Sequence, residues 1–572
     1  MQGVIKSNRA VNMSEELYNK LVEYFARYYS QPAMYLENLL KKKMEAGLSR
    51  EEALKEVFNE IFGKEEKIFG EAGKTEKPRK GFLDMLSYVF STYSSFPSIS
   101  ISYFVKSTTN TITGFIGFML IIAILIQLEH AGLVGRILSG DLRALLDPRL
   151  LEYVNVGVLI GSIVFVIASG IGEALYAATL YPQAETLLTK GRVNFREAVN
   201  RGFKHIYILI AAGILLNLPL LLLYPGLMIM LASAMRMFAL KYPIEFLRSL
   251  MTGLFLIVIG GILFIVLRIL AIYLMPAIII DDLSLGEAFK TSLSTLRKTV
   301  GSVLAYAVFF VLIMVLIGLV SQLFSILGAP ISNALGFILG AIVIPSMDAS
   351  LTGVYLQARG RSLELKLFKK SFMDMVWEKL RAGWNKTFHF VTTKTNIAYL
   401  TLSLVIIVCG VAVGFSLDKA FLYKVTRLII VRGRINPFLE KVFPFSLASE
   451  IFFNNWQVSI VASLSGILTP LAPISISLLN GIILGFVAAR LTPFEFMVTI
   501  MPHGIIEIPG IIIAIAAGLK LGYILISDRS KLPESIKEMT YVAVGLAPIL
   551  LTAAVIESTL TPLLIRIFLK WS

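Results

Sequence analysis

Residues 249–279 read SLMTGLFLIVIGGILFIVLRILAIYLMPAII and contain one ionisable side chain, Arg268. A helix rises 1.5 Å per residue, so a bilayer core about 30 Å thick needs about 20 apolar residues to cross it. This stretch is longer than that. It also lacks the polar face that a surface helix of a soluble domain would show. It therefore reads as a membrane span. The same reading extends to 111–133, 153–180, 205–232, 301–326 and 331–356, and, after a polar interval, to 397–417, 456–472, 474–491, 494–526 and 541–568. The expected fold is all-α: a polytopic membrane protein of about eleven transmembrane helices, one of them broken or re-entrant, with a small soluble helical domain in front.

Composition agrees. Of 572 residues 56% are hydrophobic and 16% charged, against about a quarter charged in soluble domains. The charge is concentrated in residues 1–80, which are rich in Lys and Glu. The net charge of +15 fits the Lys and Arg of cytoplasmic loops and anionic headgroups, so no nucleic-acid partner is expected. The single cysteine, Cys409, lies in an apolar run and excludes an intramolecular disulfide framework or a Cys-rich metal site.

The chain divides into a soluble helical domain and charged linker (1–80), an N-terminal membrane domain of about six helices (81–360), a basic amphipathic linker (361–396) and a membrane domain of about five helices (397–572). In the first, Leu17, Leu21, Tyr24, Phe25 and Tyr28 recur at helical spacing, and Ser49 and Glu52 have capping-box form. No apolar stretch near the start has the form of a cleavable leader. The loops 181–204 and 357–396 are strongly basic, which places the N-terminus in the cytoplasm and the C-terminus outside a cell membrane. Loop 418–455 is basic too, yet falls outside; its apolar stretches permit re-entry or a position along the headgroups. Phe195–Val199 (FREAV) resembles Leu285–Phe289 (LGEAF), and Ser362–Leu365 begins a looser third copy. This reads as three helical hairpins, each with an amphipathic cytoplasmic segment.

Ionisable residues inside a bilayer cost a few kcal/mol and call for a partner or a function. Glu173, Arg268 and Asp348 lie in inner halves of their spans and are expected to meet as a structural ion cluster. The last spans hold more. His503 and Glu507, four apart, share one helix face, between Pro502 and Pro509, which interrupt helical hydrogen bonding. Counting 1.5 Å per residue, His503, Glu507, Glu557 and Asn480 come to roughly 14–20 Å below the outer ends of their spans. Glu450, Asn454 and Asn455 lie at the mouth of span 456–472. These seven are the ligand- or ion-binding candidates of an outward-opening polar pocket. No HExxH, GxGxxG, Walker A or GxSxG motif occurs, so no enzymatic activity and no cofactor are expected beyond a cation bound at this pocket. A zinc site would use His503, Glu507 and Glu557.

The run Asn454-Asn455, Gly466, Asn480-Gly481 with Gly485, Pro502-His503-Gly504 with Glu507, Ala517-Gly518-Leu519 with Gly522, and Glu557 resembles the stage II sporulation protein M family over about residues 395–570. The resemblance implies five membrane spans, no established enzymatic activity and a membrane scaffold that recruits partners degrading peptidoglycan. The soluble domain and about six further spans in front depart from the namesake. The leading expectation is therefore a scaffold or assembly protein of the cell membrane. Its partners would be the bilayer and proteins docking on the N-terminal domain and basic linker, with self-association compatible. The alternative is a transporter or channel binding a cation, a proton or a small ligand at the pocket; an intramembrane metal-dependent hydrolase comes third.

Overall fold

The computed structural model describes residues 18, 21–22, 32–45, 48–50, 52–54, 56–57, 80–139, 141, 144, 147–237, 243–327, 329, 331–365, 371–419 and 444–569. Among these residues every regular element is helical. Contacts divide the chain into two units, Met1–Arg79 and Lys80–Ser572.

In the first unit, Leu36 and Leu40 stand one turn apart on α1 (Pro32–Glu45) and bury with Leu21, Ala53, Leu54 and Val57. The Ser49 box forms: its N–H donates to Glu52 Oε2 at 3.0 Å, and the Glu52 N–H donates to Ser49 Oγ at 3.4 Å. Leu17, Tyr24, Phe25, Tyr28 and residues 63–79 of the linker lie outside the described residues.

The second unit opens with α2 (Phe82–Thr92), α3 (Ile101–His130) and the 43-residue α4 (Pro148–Lys190). Then come α5 (Phe195–Lys204), α6 (Ile206–Asn217), α7 (Leu220–Met237), α8 (Pro243–Leu270), α9 (Leu274–Ile280) and α10 (Leu285–Ile326). The first half ends with α11 (Ser332–Ile338), a π turn at Leu339–Val343, and α12 (Ile344–Ala358). Next are α13 (Phe372–Thr392), α14 (Ile397–Leu417), α15 (Pro444–Leu464) and α16 (Leu471–Arg490). The chain closes with α17 (Pro493–Thr499), α18 (Met501–Ser527), α19 (Leu532–Gly545), α20 (Ala547–Ser558) and α21 (Leu560–Leu564). Among the described residues ten helices are long and apolar enough to cross a membrane.

Span 456–472 is not one of the ten. Its place is taken by α15, which starts earlier and carries Glu450, Asn454, Asn455 and Gln457. The packing of its neighbours explains its course. α14 and α16 lie parallel: Ser477 donates to the Ser403 carbonyl, Gly481 faces Ile407 and Gly410, Gly485 faces Val411 and Phe415, and Arg490 pairs with Asp418 at 2.7 Å. Two parallel helices in one chain need a return between them, and α15 makes it, enclosed by α3, α11, α18 and α20. Glu450 is buried and Asn455 and Gln457 are half-buried against protein, where polar residues are tolerated, while Asn454 is exposed. One core joins the two membrane halves. Ile101, Phe104 and Leu175 bury with Ile460, Leu464, Ala516, Leu521 and Ile536.

The repeat is visible in backbone conformation. Gly191 (φ 59), Asp282 (φ 56) and Gly360 (φ 75) each turn left-handed after an apolar helix. Asn194 then caps α5, and Ser284 with Glu287 boxes α10. The third copy differs. Residues 361–365 are not helical, and the Glu364 N–H donates to the Leu188 carbonyl at 2.9 Å. The helix expected there is displaced to α13. One ion network ties the three corners together. Buried Glu185 accepts from Arg201 and, at 2.6 Å, from Arg361. Arg361 also reaches Asp281 at 2.9 Å and the Ile280 carbonyl at 3.0 Å, and Arg201 reaches that carbonyl at 3.1 Å. Both guanidiniums thus cap the C-terminus of α9. Glu185→Gln leaves two cations facing one neutral amide. It is expected to lower stability by about 2 kcal/mol, the low side of a broken buried pair because both arginines are partly exposed. Thermal unfolding in detergent reads this as a lower Tm.

Candidate functional site

His503 and Glu507 sit in the first two turns of α18, and Glu557 in the last turn of α20. The helices run antiparallel, with Gly510 against Ile549 and Leu550, so residues near 503 face residues near 557. One ligand atom from each of His503, Glu507 and Glu557 lies within 4.8 Å of the others. Among the described residues this is the group of His, Cys, Asp or Glu side chains close enough to hold a metal ion. Asn455, on α15, donates to Glu507 Oε1 at 2.9 Å, and Thr561 stands 3.3 Å from His503 Nδ1. That contact leaves Nε2 as the second ring nitrogen.

Both helices break at the site. Between α17 and α18, Ile500 (φ −107, ψ −43) interrupts the helix three residues before His503, with Pro502 entering the first turn. Thr559 (φ −122, ψ −64) ends α20 two residues after Glu557. Pro509 does not break its helix; α18 runs through it. Pro509 removes one backbone donor inside that helix without ending it.

Two half-buried carboxylates this close call for a counter-charge: a proton, an imidazolium or a cation. Ligand atoms on a tetrahedral ion at about 2.1 Å stand roughly 3.4 Å apart. The three side chains reach that spacing by moving inward about 1 Å. One imidazole and two carboxylates suit Zn²⁺ or Mn²⁺, and they leave a fourth position open.

The other sequence candidates lie elsewhere. Asn480 donates to the Ile476 carbonyl of its own helix at 2.8 Å, and Asn454 is exposed and donates to Asn455 at 3.1 Å. Glu450 binds the start of α11: it accepts from the Ser332 N–H and hydroxyl and, at 2.5 Å, from the Asn333 N–H. A carboxylate satisfying orphan amides at a helix N-terminus is a structural clasp, and this one pins the second half of the bundle to the first. In the first half, Arg268 pairs with Glu173 and donates to Asn217 Oδ1 at 3.0 Å. Asp348 instead accepts from Tyr176 at 2.5 Å and Tyr306 at 2.8 Å. The expected arginine with two carboxylates is thus an arginine with one carboxylate and an amide, beside an aspartate held by two phenols. Thr561 was not among the sequence candidates, and nothing in its local sequence distinguishes it from other membrane threonines.

These features define a polytopic α-helical membrane protein with a polar cluster at the breaks of two helices. Residues 399–562, which span α14 to α21, match the family model described as Stage II sporulation protein M. No curated protein and no solved structure matches the chain.

Proposed function

We propose that this chain is a multi-pass membrane protein whose working centre takes a divalent cation, in competition with protons, at His503, Glu507 and Glu557. The observation that carries the reading is the convergence of these three side chains, within 4.8 Å, at interruptions of two membrane helices. Interrupted helices with inward carboxylates are the general form of ion sites in transporters. On this reading the protein binds and moves an ion rather than transforming a substrate. The basic loops orient it with its N-terminus in the cytoplasm and the cluster nearer the outer face. The test is flux in proteoliposomes: Zn²⁺ or Mn²⁺ uptake, with coupled pH change, in wild type and in Glu507→Gln. Uptake by wild type that the variant loses supports transport, and equal rates in both would remove it.

A second reading, a membrane scaffold without flux, is favoured by the family match over residues 399–562. The cation would then be structural, and crosslinking in native membranes would capture a recurrent protein partner.

A further inference from the structure

We propose that α13 is a bilayer-surface helix, seated on the membrane through Met373, Trp377, Trp384, Phe388 and Val391. All five side chains are exposed, Trp377 at 67% and Phe388 at 66%. Their spacings of four, seven, four and three residues place them in one narrow stripe along the helix. A second stripe of Met375, Gly383, Thr387 and Phe390 is buried. It packs on α19 through the Gly383–Gly545 approach and the bond from Thr387 Oγ1 to the Val542 carbonyl at 2.8 Å. The remaining arc carries Asp374, Glu378, Arg381, Asn385, Lys386 and His389.

Chain continuity identifies what covers the aromatic stripe. Only Thr393 and the turn Lys394–Asn396 separate α13 from α14. Leu404, Val405 and Val408 of α14 are exposed apolar residues on a membrane span, so the end of α13 is fixed at the bilayer boundary. Its middle, at Gly383, meets Gly545 at the C-terminus of α19, within the last apolar stretch Arg529–Leu569. From that boundary α13 lies against α19 with its aromatic stripe turned away from the bundle. Tryptophan is the side chain most suited to that level, with an apolar ring and one N–H for the headgroup region. Arg381, beside the stripe, and Lys394, at the foot of α14, are placed to meet lipid phosphates. The occupant is therefore the lipid surface, and anionic phospholipid is the class this helix engages.

The chain has four tryptophans, at 377, 384, 456 and 571, which makes the test direct. The full chain is reconstituted in phosphatidylcholine–phosphatidylglycerol vesicles whose lipids carry a spin label at a shallow or a deep acyl position. Wild type is compared with Trp377→Phe, Trp384→Phe and the double variant, conservative changes at exposed positions. The fluorescence component lost in the double variant should be quenched more by the shallow label than by the deep one, and should resist aqueous iodide. Iodide quenching without lipid quenching overturns the proposal. So does efficient disulfide crosslinking of Trp384→Cys between copies, in a Cys409→Ser background, without lipid quenching; the stripe would then be an interface between copies. Neither outcome depends on the cation site.

Discussion

Glu507→Gln is expected to weaken Zn²⁺ or Mn²⁺ binding by about 100-fold or more, roughly 3 kcal/mol, while leaving the protein folded. The two halves of that expectation come from one geometry. Glu507 and Glu557 belong to the same 4.8 Å cluster. With metal bound, each carboxylate is a ligand, and a neutral amide replaces a charge-assisted bond with a weak one. Without metal, the same substitution removes one of two facing negative charges, so the apo protein should unfold at an unchanged or higher temperature. Stability and affinity thus move apart, which a merely damaged fold cannot imitate. In wild type, metal at about 100 times its Kd should stabilise the fold by about 2.7 kcal/mol, and the Tm increment should vanish in the variant. Asn455→Ala removes only the amide that orients Glu507, and should weaken binding by about 10–100-fold. Protons compete for the same atoms, so affinity should fall as pH falls. Elemental analysis of purified wild type with no metal, together with a Tm indifferent to added Zn²⁺ or Mn²⁺, would sink the cation reading.

The readable part of this site was its face and depth, not its full membership. His503 and Glu507 are four apart on a helix, and Glu557 falls at a matching depth on an adjacent crossing; both facts follow from periodicity and the 1.5 Å rise. Depth alone, however, says nothing of azimuth. Asn480 shares the level but donates to its own helix, while Glu450 turns to the start of α11. Partner choice in the first half was hidden for the same reason, because Tyr176 and Tyr306 look like ordinary apolar-face residues until Asp348 is seen between them. Membrane helices were legible wherever lipid contact demands apolar runs. Where protein surrounds a helix the demand relaxes, so α15 was legible only through its apolar second part, within 456–472, while its first part carries Glu450, Asn454 and Asn455. The starts of α5 and α10 were legible as a repeated motif, Phe195–Val199 and Leu285–Phe289. The third copy failed because Leu363 and Leu365 do not continue a helical face there; the segment bonds edgewise to α4 instead.

Gly481→Leu is expected to be among the most damaging single changes in the membrane core, and Gly504→Ala among the mildest. α14 carries Gly410 and Gly414, α16 carries Gly481 and Gly485, and each pair has the small-xxx-small spacing that lets two helices touch backbone to backbone. A Cβ on Gly481 would stand 2.3 Å from the Ile407 carbonyl oxygen and 2.9 Å from Gly410 Cα; one on Gly414 would stand 2.2 Å from the Ile482 carbonyl oxygen. Those neighbours are backbone and cannot rotate aside, so the helices must separate. Overpacking of this kind costs about 1–3 kcal/mol. Separation would also strain the Asp418–Arg490 pair at the ends of the same two helices. Gly504 belongs to the same sequence motif as His503, yet its Cβ would meet only the Ile500 and Ile508 side chains, at 3.5 and 3.6 Å. Alanine there fits in ordinary contact and gains about 1 kcal/mol of helix propensity. Thermal denaturation of the two variants in one detergent should therefore move in opposite directions from wild type. A tolerant Gly481 would mean that α14 and α16 do not pack in this parallel register, and the return path assigned to α15 would lose its basis. A destabilised Gly504→Ala that still binds metal would place a further contact at the break, one that the spacing around Ile500 does not show.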